Sequence, residues 1–84
     1  MSKPKYNYNM RTIHRNDNTL DCIVVDTPIR YADIIKKQNE LTRLGYTSYF
    51  DEERRKHYKL TIDGFTNFVV FERITEFAAG NYKF

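Results

Sequence analysis

Eighty-four residues, 40% of them apolar and 15% aromatic, make one domain (1–84) with a small core and are too few for two. A single cysteine excludes an internal disulfide framework and fits a reducing compartment, and no apolar run is long enough to span a bilayer. The net charge of +3 is mild but uneven, with Lys3, Lys5, Arg11 and Arg15 preceding the first acid, Asp17.

Residues 1–4 read as a frayed tail, and the opening MSKPKYNYN lacks the apolar segment of a secretory signal, so a soluble cytoplasmic protein is expected. From Lys5 to Arg15 the pattern has period two. Tyr6, Tyr8, Met10 and Thr12 point one way, and Lys5, Asn7, Asn9 and Arg11 the other, as in a strand with one buried face. The basic residues of this stretch suit either a guarded sheet edge or attraction to nucleic acid or an acidic protein surface. Asn16-Asp17-Asn18-Thr19 is dense in turn formers and folds the chain back. Leu20 to Asp26 is almost continuously apolar, so it reads as an interior strand covered on both faces, with Cys22 inside it as a small apolar residue.

Asp26 to Tyr46 reads as an amphipathic helix. Thr27 is placed to cap it, Pro28 to sit at its first position, and Gly45 to close it in a left-handed conformation with Tyr46 packing back on Leu41. Tyr31, Ile34, Ile35, Leu41 and Leu44 share one broad side, interrupted by Gln38. Asp33, Lys36, Glu40 and Arg43 lie opposite, with Lys36–Glu40 and Glu40–Arg43 at pairing distance. Such a stripe needs a sheet to cover.

Tyr46–Asp51 and His57–Ile62 are read as strands joined by the charged run Glu52–Lys56. Asp63-Gly64 signals a two-residue hairpin that pairs Ile62 with Phe65, Leu60 with Asn67 and Tyr58 with Val69. Phe65–Arg73 is then a fifth strand, followed by a helical turn from Ile74 to Ala79. The fold class is α+β in the order ββαβββ, a mainly antiparallel sheet with one helix packed on one face. The alternative is ββαββα, with a second C-terminal helix from Thr66.

Catalytic equipment is not legible. His14, His57 and Cys22 lack metal-site spacing, Cys22 sits in apolar surroundings, and the glycines are isolated rather than grouped into a phosphate loop. No cofactor or metal is called for and no enzyme is expected. The hairpin register does place His57, Lys59 and Thr61 on one face with Thr66, Phe68 and Val70, to which Phe50 adds a ring if the preceding turn is tight. Arg54, Arg55 and Lys56 extend that surface at a loop tip, although Glu52 and Glu53 beside them compensate its charge. Cations beside exposed rings suit single-stranded nucleic acid, rings stacking on bases and cations meeting phosphates. A second small core beneath the C-terminal segment explains the same residues. The candidate binding residues are therefore Arg54, Arg55, Lys56, His57, Lys59, Phe68 and Phe50.

In composition, short and rich in Asn, Tyr and Lys, the chain is similar to small accessory proteins of bacteriophages and mobile elements. That resemblance implies stoichiometric binding of a host macromolecule. The functional expectation is a non-enzymatic regulator or inhibitor of a protein partner, since Tyr and Arg are favoured at protein interfaces. Nucleic-acid binding is the alternative, and a homodimer formed through an edge strand or a partly open helix is the third class.

Overall fold

The computed structural model describes residues 7–73. Strands β1 (Tyr8–Asn16) and β2 (Cys22–Ile29) form a hairpin, helix α1 (Tyr31–Arg43) follows, and β3 (Thr47–Phe50), β4 (Lys56–Ile62) and β5 (Phe65–Arg73) complete the chain order. All five strands join one antiparallel sheet in the spatial order β2-β1-β5-β4-β3. The fold is α+β in the order ββαβββ. A helix from Thr66 is excluded, because Phe65–Arg73 is strand, while the expected turn at 74–79 and the tail at 1–4 lie outside the described residues.

Two turns behave as their residues dictate. Asp63 and Gly64 both take positive φ, +51° and +81°, and the register Ile62↔Phe65, Leu60↔Asn67, Tyr58↔Val69 follows. At the end of α1, Gly45 has φ +98°; its amide donates to the Thr42 carbonyl and that of Tyr46 to the Leu41 carbonyl, 3.1 and 3.0 Å. This pair of bonds is the Schellman closure. Leu41 then packs with Tyr58 and Val69 as the centre of the core, against which Met10, Tyr46 and Phe71 lie.

The helix begins three residues later than its sequence suggests, capped at Arg30 and not at Thr27. Thr27 and Pro28 belong to β2, where Pro28 pairs with Asn9. Arg30 occupies the cap without a side-chain bond, and its carbonyl receives the amides of Asp33 and Ile34. Its guanidinium meets Asp33 at 3.0 Å in the first turn, where a carboxylate also complements the helix dipole. Only part of the apolar stripe is covered: Ile34 and Leu41 are buried, whereas Tyr31, Ile35 and Leu44 are exposed and Gln38 is half-buried. An ion pair on the wet side joins Glu40 to Lys37 at 3.1 Å, one position along from the expected Lys36.

The placement of β2 overturns a larger expectation. The run from Cys22 through Val25 is not interior: β2 is the outer strand of the sheet, and Cys22 is exposed. A β-branched run carries the same local preference in a central or an edge strand, and the long-range pairing of β1 with β5 decides which it becomes. By the same pairing β1 is interior, so Arg11 and Arg15 do not guard an edge. Lys3 and Lys5 lie outside the described residues. The period-two reading of β1 holds, with Met10 on the helix side. Asn9, on the far side, is nevertheless fully buried, and its Nδ2 donates to Asp26 at 3.0 Å.

Candidate functional site

The sheet face opposite α1 carries the sequence-derived candidates in part. Register places His57 beside Val70, Lys59 beside Phe68 and Thr61 beside Thr66, as the hairpin turn requires. The ring that joins them is Tyr49, not Phe50. Tyr49 pairs with His57 and stacks on it, centroids 5.1 Å apart and planes within 13°, with Lys59 Nζ 5.8 Å from the Tyr49 centroid. Phe50 pairs with Lys56 and, alternating along the strand, points to the helix side. Lys56 accordingly lies over the ring of Tyr58, a core residue. Arg54 sits in the turn at φ +63° and, with Phe50, lines a separate hollow.

From β1 the Arg15 guanidinium lies 5.0 Å from the Phe68 centroid. With Ile13, Cys22, Tyr49, His57, Phe68 and Val70 it lines a groove of about 310 Å³. The charges along this face are largely offset. Arg11 grips Asp26 through two nitrogens at 2.8 and 3.2 Å, and Arg15 meets Asp17 at 2.8 Å. Arg55 reaches Asp51 at 2.9 Å, Glu72 at 3.5 Å and Glu53 at 3.7 Å. Asp51 also accepts from His57 Nε2 at 2.7 Å and from the amides of Glu53 and Arg55. The His57 bond, then the Arg55 amide, hold its carboxyl well below the usual range, and Asp51 in turn raises Arg55. The charged connection thus compensates its charge, as the mixed signs of residues 52–56 suggest, but the acid at its centre is Asp51 and not Glu52 or Glu53.

His14 and His57 lie on opposite faces, His14 donating from Nδ1 to Asn67 Oδ1 at 2.8 Å on the helix side. Among the described residues no group of three or more His, Cys, Asp or Glu is arranged to hold a metal ion, and no helix is long and apolar enough to cross a membrane.

The β2 edge is the feature that sequence reasoning missed. Ile23, Val24 and Val25 are 66%, 54% and 45% exposed, and Leu20 at the preceding turn is exposed as well. The Asn16 amide donates to the Asp21 carbonyl, so the inward-bonding positions of β2 are the odd ones. Cys22, Val24 and Asp26 therefore turn their N–H and C=O groups to the outer edge, where no strand among the described residues pairs with them. Pro28 shares that parity, which is why a residue without an N–H is tolerated there. Natural edges are usually blunted by lysines, bulges or shortness; over Cys22–Val25 this one has no charge. Pro28 was the available signal, since proline within a strand points to an edge, but its fitness for a helix start concealed it.

Compared with known proteins, the chain matches no family model, and neither a curated protein nor a solved structure matches it.

Proposed function

We propose that this protein is a non-enzymatic regulator or inhibitor that binds a protein partner stoichiometrically in the cytoplasm, the partner adding an extended segment to β2. The observation that carries this reading is an edge that no strand among the described residues pairs with: outward-facing backbone groups at Cys22, Val24 and Asp26, flanked on both faces by exposed Ile23, Val24 and Val25. Strand addition takes affinity from such main-chain groups and specificity from alternating side chains. The offset charges of the opposite face favour this over phosphate recognition. The test is capture of a partner from extract with the wild-type chain and with Val24→Lys, followed by amide exchange on the purified complex. Retention at one partner per chain, lost in Val24→Lys, with slowed exchange at Val24 and Asp26, supports the proposal. Retention unaffected by the substitution, or protection confined to His57 and Phe68, overturns it.

A second reading, single-stranded nucleic acid on the far face, draws on the Tyr49–His57 stack and the Arg15–Phe68 contact. It has fewer groups to offer phosphates, because Arg11, Arg15 and Arg55 each already meet a carboxylate.

A further inference from the structure

We infer that β2 also pairs with β2 of a second copy, antiparallel about a two-fold axis at Val24, joining two five-stranded sheets into one continuous sheet. This rests on the same outward-facing edge as the proposed function, and the two uses of the edge are mutually exclusive. Self-association would therefore regulate access to it.

The parity of β2 restricts the pairing. An outward-facing residue must oppose an outward-facing residue of the partner copy, so the axis falls at Ile23, Val24 or Val25. An axis at Ile23 sets Asp26 against Leu20, whose φ of +66° takes it out of the strand, and forfeits those bonds. An axis at Val25 sets Cys22 against Pro28, which has no N–H to return, and brings the two Asp26 carboxylates into diagonal contact on one face. An axis at Val24 moves both defects to the outermost pair, Leu20 against Pro28, and leaves every inner pair intact. Val24 then exchanges both bonds with Val24 of the second copy, and Cys22 does so with Asp26 in each direction.

Side chains agree with that register. On the helix side Ile23 meets Val25 of the second copy twice over, covering residues now exposed. On the far side the two Val24 side chains meet at the axis. Each Asp26 falls beside Cys22 of the other copy, whose own β1 neighbour is Arg15, so opposite charges approach across the seam and like charges do not. The closed two-fold arrangement also ends growth, whereas pairing β2 with the other edge, β3, would propagate from copy to copy. A seam of one short strand buries less than the roughly 800 Å² per partner of a standard stable interface, so the association is expected to be weak and concentration-dependent.

Sedimentation equilibrium of the full chain under reducing conditions, from low to high micromolar, tests this directly. The expected result is a reversible rise from 10.1 kDa to twice that mass. Val24→Lys, which sets two cations against each other at the axis, should remain monomeric with an unchanged circular dichroism spectrum. A second variant tests the register: the Cα separation of a hydrogen-bonded antiparallel pair, about 5.5 Å, suits a disulfide. Cys22→Ser/Val24→Cys should oxidise to a covalent dimer, while the wild-type chain, whose Cys22 faces Asp26, should not. A wild-type chain that stays monomeric, a dimer that survives Val24→Lys, species larger than a dimer, or ready cross-linking through Cys22 would each overturn the inference. A monomeric wild type whose partner capture is still lost in Val24→Lys sinks the dimer and leaves the proposed function standing. A dimer abolished by Val24→Lys, with capture intact, does the reverse.

Discussion

The hydroxyl of Thr66 donates to the carboxylate of Asp17 at 2.7 Å, tying residues 49 positions apart. Since Thr66 spends its proton there, the Thr61 hydroxyl, 2.8 Å away, donates to Thr66. The Asp17 amide meanwhile donates to the Gly64 carbonyl at 2.8 Å. One residue of the β1–β2 turn thereby fastens that turn to the β4–β5 turn at the same end of the sheet.

Thr66 is 2% exposed, so Thr66→Val keeps its shape while removing the acceptor of the Thr61 hydroxyl and the donor to Asp17 Oδ2, Asp17 keeping only its Arg15 bond at Oδ1. A loss of about 1–2 kcal/mol is expected, read as a lower midpoint in urea with an unchanged slope. Thr66→Ser, which retains the hydroxyl, should recover most of it.

Leu41 couples the last turn of α1 to Tyr58 and Val69. Leu41→Ala should cost roughly 2–5 kcal/mol, a large share of what a domain this small has to lose. Thermal melts that fall by only a degree or two would show that α1 contributes little to the core.

At φ +98°, Gly45 holds a conformation that a Cβ penalises, although the nearest side-chain atom, on Leu60, leaves a Cβ room at 3.9 Å. Gly45→Ala should therefore destabilise by about 1–2 kcal/mol through backbone strain alone, and Gly45→Asn by less, since Asn tolerates positive φ. Equal urea midpoints for the wild type and Gly45→Ala would contradict the strain account.

Acid should weaken the fold. Asp17 is held low by Thr66 and Arg15, Asp26 by Arg11 and Asn9, and Asp51 by His57 and Arg55. The unfolded chain binds protons that the native carboxylates refuse, so stability rises with pH through this range. The contribution is complete above the unfolded carboxylate value of about 4 and drains as pH falls through the lower native values. Denaturation followed from about pH 7 down to about pH 2 should show the decline below about pH 4, shallower in Asp51→Asn.

Oligonucleotide binding should be weak. A salt series with short single-stranded DNA should give a shallow slope, because releasing counterions requires cations not already matched by carboxylates. Lys59→Ala and Arg55→Ala should change it little. A steep slope lost in either variant would favour nucleic acid over the protein partner.

Where a feature depends on neighbours in sequence, the chain alone determined it. Residue alternation set the two faces of β1, Asp63-Gly64 the hairpin and its register, and Gly45 the end of α1; adjacent acids and bases in Glu52–Lys56 pointed to a self-compensating connection, though not to Asp51 as its hub. Each rests on sterics or on bonds spanning a few residues, which travel with the local sequence. The tertiary structure decided what those rules leave degenerate. Thr27-Pro28 suits a helix start and the end of an edge strand equally, and Ile23-Val24-Val25 suits an interior strand and an outer one. Likewise Tyr49 and Phe50 differ by one step of pleat, and only their pairing with His57 and Lys56 assigns the faces. Pairing β5 between β1 and β4 settled these choices together. It set β2 at the rim of the described sheet, where its outward-facing backbone groups carry the proposed function.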